Sequence, residues 1–172
     1  MSEFFSTERL TVRKFTPEDH SDLADILTDK EVTYFEPYET FTREACVQEA
    51  INFSSSDEFF AVVHNDKVIG KIYFSPRECG SYELGYTFNR SYQGHGFATE
   101  SLRGMIAYAF NNLGVRRIFA TIDTRNDKSR LLAERLGMRR EAEYKELYPR
   151  KEDKSIYNDF YVYAILKKEF CK

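Results

Sequence analysis

The chain has 172 residues, of which 42% are hydrophobic and 31% charged, so it is long enough to bury a core and too apolar to be disordered. Lysine and arginine number 25 against 28 for aspartate and glutamate, a formal net charge of -3, which argues against nucleic acid as a partner. The N-terminus lacks the basic start and apolar stretch of a signal peptide, and no segment approaches the about 18 apolar residues of a membrane span. We expect one cytoplasmic domain, residues 1–172, without a membrane partner.

The chain has three cysteines and three histidines, which are widely separated in the sequence. Their spacing suits neither a disulfide framework nor a metal site, so we predict reduced thiols and no metal. These residues are Cys46, Cys79 and Cys171, and His20, His64 and His95.

The N-terminal third predicts a strand, a helix, an aromatic loop and a second helix. Residues 9–15 alternate apolar and polar side chains, which predicts a strand. Thr16 and Pro17 are typical of a helix start, and this helix should run to about residue 28. Aromatic residues around Pro37 favour an ordered loop over residues 31–41. Thr42 is placed to cap the second helix, which residues 54–57 should end.

The rest of the chain predicts a mixed order of strands and helices. Strands over 59–64, 68–74 and 82–88 form an antiparallel meander, with Asn65 and Asp66 as its first turn. A helix over 97–111 should end near Gly114, and a strand over 117–122 is followed by a helix over 128–136 that Gly137 ends. Strands over 138–147 and 157–166 close the chain around a charged loop, residues 148–154.

Residues 83–98 carry the most informative pattern, a strand that leads through a glycine turn into an amphipathic helix. Several backbone N–H groups converge there, and the helix dipole favours a negative ligand, so we predict a diphosphate site. Gly94 and Gly96 permit a close approach of phosphate. The alternative is an ordinary helix entry with two turn glycines. The spacing fits neither a Rossmann fingerprint nor a P-loop.

The stretch from Gln93 to Ala98 resembles the Gln/Arg-x-x-Gly-x-Gly/Ala signature of the GNAT superfamily. Residues 126–129, followed by Leu136, Gly137 and Met138, resemble its second cofactor motif. Residues 7–13 and 159–166 are similar to the RimJ/RimL-type branch, whose members acetylate protein N-terminal amines or small amines. The resemblance implies a mixed α/β fold with a mostly antiparallel, V-shaped central sheet flanked by helices.

The resemblance also implies acetyl-CoA as the cofactor and an N-acetyltransferase activity. It places the pantetheine arm against one strand and the pyrophosphate on the N–H groups that follow. The implied cofactor-binding residues are Tyr86, Thr87, Phe88, Gln93, Gly94, His95, Gly96, Phe97, Ala98, Thr99, Asn126 and Ser129.

Acetyl transfer to an amine needs a neutral nucleophile, an oxyanion stabiliser and a proton source for the departing thiolate. We assign Ser129 as the donor to the sulfur and Asn126 as the orienting group, the alternative being a helix cap followed by a solvated serine. The family's usual acid is a tyrosine four residues after Ser129, where this chain has Ala133, so water is a second option. Glu83 is the candidate base, or else an exposed strand carboxylate.

The acceptor amine should lie between residues 34–41 and residues 144–156, where Glu36 and Glu39 are placed to attract an amine. A merely solvated loop is the alternative. The acceptor is a small molecule or a protein N-terminus, and a homodimer is kept as an option. Two other hypotheses compete with the enzyme. One is a noncatalytic acyl-CoA-binding or regulatory domain, which the alanine at position 133 favours. The other is a purely structural α/β domain.

Overall fold

The computed structural model describes residues 3–170, so the expectations on Met1, Ser2 and Cys171 lie outside the described residues. One sheet of eight strands runs through the molecule in the order β1-β2-β3-β4-β5-β6-β8-β7. All neighbouring strands pair antiparallel except β5 and β6, which pair parallel. The predicted mixed, mostly antiparallel sheet is thereby confirmed. The strands are β1 Glu3–Ser6, β2 Thr11–Lys14, β3 Phe59–His64, β4 Lys67–Pro76, β5 Ser81–Phe88, β6 Arg117–Asp123, β7 Arg139–Pro149 and β8 Tyr157–Leu166.

In the described part of the chain, five α-helices pack on this sheet, and four of them agree with the predicted helices to within a few residues. The predicted start at Thr16 and Pro17 is confirmed, since Thr16 is the N-cap and Pro17 the first helical residue, but Pro17–Asp19 is a 3-10 helix that leads into α1. Asp19 accepts a hydrogen bond from the Thr16 backbone N–H at 2.8 Å and so closes a capping box at this start. The helices are α1 His20–Leu27, α2 Arg43–Ser54, α3 Phe97–Asn112, α4 Asp127–Arg135 and α5 Lys167–Phe170.

The predicted meander β3-β4-β5 is confirmed. Its first turn requires Asn65 and Asp66 at φ 48° and 61°, a left-handed conformation that these two residue types tolerate. At the C-terminal hairpin the predicted loop begins too early. Tyr148 still pairs with Asn158, and Pro149 with Tyr157, so β7 continues through residue 149 after a register shift.

Two hydrophobic cores lie on the two faces of the sheet. Ile72 and Phe74 of β4 pack with side chains of α3 and α4 in the larger core. Ala61 of β3 and Val68 of β4 pack with α1 and α2 in the smaller one. Helices therefore cover much of both faces of the central sheet. Within residues 3–170, no helix is both long and apolar enough to cross a membrane.

Candidate active site

A gap opens where β5 and β6 separate. The two strands pair at three positions, from Ser81 with Arg117 to Glu83 with Phe119. Beyond this point residues of both strands line a common cavity of about 870 Å³. The cavity continues past the first turn of α4 to the aromatic loop, residues 31–41. Splayed parallel strands expose backbone groups on their facing edges, which suits an extended ligand that carries amides.

The glycine turn that follows β5 is exposed and open to a ligand. Gly94 and Gly96 adopt φ of 83° and 82°, and a Cβ at Gly94 would meet no atom within 4 Å. Gly96 is the N-cap of α3, and its carbonyl accepts the hydrogen bond from the Glu100 N–H. The N–H groups before Glu100, in the first turn of the helix, have no carbonyl partner within the helix and are available to a ligand. These features fit a diphosphate.

Arg9 and Glu100 fasten the N-terminal segment to this turn. The Glu100 carboxylate accepts hydrogen bonds from the Arg9 backbone and guanidinium at 2.9 and 2.7 Å, and from the Thr7 hydroxyl at 2.6 Å. Arg9 also donates to the His95 carbonyl at 3.2 Å and lies over the Phe97 ring. The turn is therefore held from outside α3 as well as by its own glycines.

The predicted cofactor residues between β5 and α3 differ in how their side chains are used. Phe88 and Phe97 are buried in the larger core, and Thr87 is also buried. The Gln93 side chain donates to the Phe88 carbonyl at 3.1 Å, and the His95 ring nitrogen contacts the Gln93 carbonyl at 3.0 Å. These side chains therefore shape the strand end and the turn, and their cofactor-binding role stays a prediction. Tyr86, Gly94, Gly96, Ala98 and Thr99 complete the predicted stretch and lie on β5, the turn or the first turn of α3.

Asn126 and Ser129 meet at the N-terminus of α4 and both line the cavity. Asn126 caps the helix, because its side-chain oxygen accepts a hydrogen bond from the Ser129 N–H at 3.1 Å. The Ser129 carbonyl accepts one from the Tyr86 hydroxyl at 3.2 Å. The predicted pair is brought together beside the gap, while its chemical roles stay predictions.

Glu83 lies at the point where the strands separate and is engaged by a cation. Its carboxylate accepts a hydrogen bond from Arg77 at 2.7 Å, and the same guanidinium bonds the Tyr73 hydroxyl at 2.8 Å. The side chain lines the cavity. Its predicted role as a base therefore requires that this ion pair loosen when an acceptor binds.

Lys71, for which the sequence predicted no role, lies in the cavity wall. Its ammonium nitrogen is 2.9 Å from the Tyr38 hydroxyl, and the residue is 3% exposed. The one signal in the sequence was a lysine in the middle of an otherwise apolar strand. Glu36 also lines this cavity. Burial raises the pKa of Tyr38 and Tyr86 and lowers the pKa of Lys71, and the charge of Glu36 acts in the upward direction on all three.

Lys151 holds the aromatic loop over the cavity. Its side-chain nitrogen donates to the backbone carbonyls of Thr33 and Tyr38, at 2.6 Å each. Lys151 belongs to the segment between β7 and β8, so the two segments predicted to surround the acceptor do meet. Among residues 3–170, no group of three His, Cys, Asp or Glu side chains is arranged to hold a metal ion. Cys46 and Cys79 are free thiols.

Comparison with known proteins gives this architecture a family. A model described as "Acetyltransferase (GNAT) domain" matches residues 9–139. The chain is 32% identical over 173 residues to YnaD of Bacillus subtilis (strain 168), an uncharacterized N-acetyltransferase, and the match covers 96% of this chain and 98% of YnaD. The chain therefore belongs to the GNAT acetyltransferase family and is an N-acetyltransferase, as its motifs predicted.

Solved structures agree with this assignment. The crystal structure of a GNAT-family acetyltransferase from Bacillus anthracis matches with a TM-score of 0.88 at 30% identity, covering 95% of this chain and 98% of that one. RimL, a ribosomal L7/L12 alpha-N-protein acetyltransferase solved in complex with coenzyme A, matches with a TM-score of 0.83 at 17% identity, covering 96% and 98%. At that identity the second match shows the shared fold alone.

Proposed function

We propose that the protein transfers the acetyl group of acetyl-CoA to a primary amine, which attacks the thioester directly. The observation that carries this proposal is the arrangement of the site along β5. This strand borders the gap and the cavity at Gly85 and Tyr86, and the exposed glycine turn at the N-terminus of α3 follows its C-terminal end. The glycine turn suits the anionic pyrophosphate and the cavity suits the acceptor amine, so the thioester would lie between them.

The chain's own groups would bind and orient the donor. Backbone N–H groups over residues 94–99 hold the pyrophosphate, and the strand from Tyr86 to Phe88 offers backbone groups to the pantetheine arm. Acetyl-CoA supplies an activated acetyl group and a thiol that leaves. The cap at Asn126 fixes the first turn of α4, and the Ser129 hydroxyl gives a proton to the departing sulfur.

Carboxylates and aromatic rings in the cavity support an amine acceptor. Glu36, Glu39 and Glu58 are carboxylates of its lining, and each attracts an ammonium group electrostatically. Aromatic faces bind cations as well. The lining rings include those of Tyr34, Phe35, Tyr38, Phe59, Tyr73, Tyr148 and Phe160.

A small amine and a protein N-terminus both fit this proposal. The cavity of about 870 Å³ is large enough for a small molecule or for the first residues of an extended peptide. RimL, which shares the fold, acetylates an alpha-amino group of a ribosomal protein, and this supports the second acceptor class. We place the reaction in the cytoplasm, with a monomer or a homodimer as the working form.

A noncatalytic coenzyme A-binding domain is the second candidate function. Ala133 favours it, because this residue is 1% exposed in the larger core and supplies no hydroxyl to the gap. Such a domain would bind coenzyme A without turnover. Calorimetric titration with coenzyme A, paired with a panel of amines and peptides followed by thiol release, separates the two. We expect binding and turnover with at least one acceptor. Binding without turnover across the panel would favour the second candidate, and no binding would contradict both.

A further inference from the structure

Lys71 is a lysine buried in the wall of the acceptor cavity. It lies in the middle of β4 and is 3% exposed. Its nitrogen bonds the Tyr38 hydroxyl at 2.9 Å and lies 4.6 Å from the centre of that ring, with the rings of Phe53 and Phe59 at 5.5 and 5.6 Å. Within residues 3–170, Lys71 forms no ion pair with a carboxylate. A charged lysine without a counterion is costly to keep in such surroundings.

The surroundings of Lys71 favour its uncharged form. Burial lowers the pKa of the Lys71 ammonium, and the more distant charges of Glu36 on the aromatic loop and Glu49 on α2 oppose this effect without overcoming it. Burial also raises the pKa of Tyr38, so this hydroxyl stays protonated beside the amine. Burial and the absence of a paired carboxylate thus favour a neutral amine beside a neutral phenol, and an amine in that form has a nitrogen lone pair to offer.

Lys71 shares one cavity with the place where the thioester would lie. Gly85 and Tyr86 of β5, Ala120 of β6 and Ser129 of α4 line the same space. Lys71 is on β4, which pairs with β5 from Gly70 with Phe88 to Pro76 with Tyr82. One acceptor in this cavity has access to both Lys71 and the gap.

We propose that the uncharged amine of Lys71 accepts the proton that an acceptor ammonium must lose before it attacks, an inference that rests on the proposed function. Glu83 forms an ion pair with Arg77, so its carboxylate is less available to accept that proton. Glu36 then attracts the ammonium group electrostatically and is not itself the base.

The protons and bonds of this step are balanced. One proton passes from the acceptor ammonium to the Lys71 nitrogen, which frees the nitrogen lone pair of the acceptor. That nitrogen forms the new C–N bond as the C–S bond breaks. The Ser129 hydroxyl protonates the departing sulfur, and the second proton of the acceptor nitrogen restores this hydroxyl. The products are the amide, the free thiol and a protonated Lys71, which returns its proton to solvent once the amide leaves.

The sharpest test compares acceptors whose amines differ in basicity. Lys71→Met keeps the side-chain length and removes the proton acceptor, and it should leave the melting temperature unchanged or higher because a buried amine is lost. Turnover with an alkylamine acceptor should fall about 100-fold or more, the usual contribution of a general base. With a weakly basic amine that is already neutral at pH 7, it should fall only a few-fold. Lys67→Met, on the same strand but ion-paired with Asp25 at the surface, is the control and should leave both rates unchanged.

A direct titration supplies a readout that needs no turnover. Carbon-13 NMR of lysine labelled at Cε should show one signal, absent from Lys71→Met, that titrates below the ordinary value of 10.5. A Lys71 signal that titrates at or above this value, or an equal loss of turnover for strongly and weakly basic acceptors, would overturn the proposal. If the wild-type protein acetylates no amine at all, it is the proposed function that fails.

Discussion

The hydroxyl of Tyr86 donates a hydrogen bond to the backbone carbonyl of Ser129 at 3.2 Å, so a side chain of β5 reaches the first turn of α4. Burial raises the pKa of Tyr86 to about 12, although its contact with Ser129 opposes the shift. The phenol therefore remains a hydrogen-bond donor throughout the neutral range. Together with the cap at Asn126, this bond fixes the position of Ser129 beside the gap.

Ser129→Ala should lower turnover while it leaves coenzyme A affinity nearly unchanged. Both hydrogen bonds that fix this residue use its backbone atoms, so alanine keeps them and removes only the hydroxyl. The loss in turnover should be about 10-fold to 100-fold if the hydroxyl protonates the sulfur. Steady-state kinetics with calorimetric affinities measure the two effects separately, and Lys128→Ala on the same helix is the control. A fully active Ser129→Ala variant would remove this hydroxyl from the mechanism.

Gly96→Val should abolish tight coenzyme A binding, and Gly114→Val should not. The two glycines flank opposite ends of α3 with φ of 82° and 68°, so valine strains the backbone at either site by about 1–3 kcal/mol. Only at Gly96 does the new side chain enter the turn, where its Cβ lies 3.5 Å from Arg9. The cofactor site is supported if both variants lose similar thermal stability but only Gly96→Val loses affinity for coenzyme A. Equal coenzyme A affinities of the two variants would contradict it.

Glu100→Gln should loosen the glycine turn and weaken coenzyme A binding about 10-fold, equivalent to about 1.4 kcal/mol. Arg9 loses its charged partner in this variant. Glu44→Gln, at an exposed position in the first turn of α2, is the matched control and should bind normally. Equal affinities for the two variants would show that Arg9 and Glu100 do not support the turn.

The same variant has a defined pH dependence. Partial burial would raise the pKa of the Glu100 carboxyl, but hydrogen bonds from Thr7 and Arg9 outweigh it, and the pKa is lowered from 4.5. A depressed carboxyl pKa stabilises the fold above the unfolded value, and this stabilisation is lost as pH falls through the folded value. The difference in unfolding free energy between wild type and Glu100→Gln should therefore be constant near neutrality and shrink below about pH 4.5. Urea unfolding at several pH values measures it.

Lys151→Met should raise the KM for the acceptor and leave the affinity for coenzyme A unchanged. The substitution removes two hydrogen bonds that hold the aromatic loop over the cavity, each worth about 1.5–3 kcal/mol because the donor is charged. Lys154→Met is the control, since Lys154 is exposed and lies 3.9 Å from Glu39. Equal acceptor KM values for the two variants would show that the loop does not order the acceptor.

The central sheet could be predicted from the sequence because its signals are local. The meander strands are apolar runs bounded by turn residues, and Asn65 with Asp66 marks the first turn unambiguously. The strand β1 was missed, since Phe4 and Phe5 are adjacent and show no alternation. Its existence depends on pairing with β2, which a local pattern does not reveal.

The candidate site was predictable only where one short segment carries it. The glycine turn is such a segment, and Gly94 and Gly96 do adopt the left-handed conformation that a side chain would resist. Lys71 was not predictable, because its burial depends on Tyr38, which is 33 residues away in the chain. Likewise the pairing of Glu83 with Arg77 depends on the fold of the hairpin between them.

Amide chemical shifts recorded during a titration with coenzyme A test the account most directly. The backbone N–H signals of residues 94–99 should shift together with those of Tyr86 to Phe88, because both stretches would contact one extended ligand. Signals from the outer strand β1 and from α5 should stay in place and report an unchanged fold. Shifts confined to other parts of the surface, or no shifts at all at millimolar coenzyme A, would contradict the proposed cofactor site.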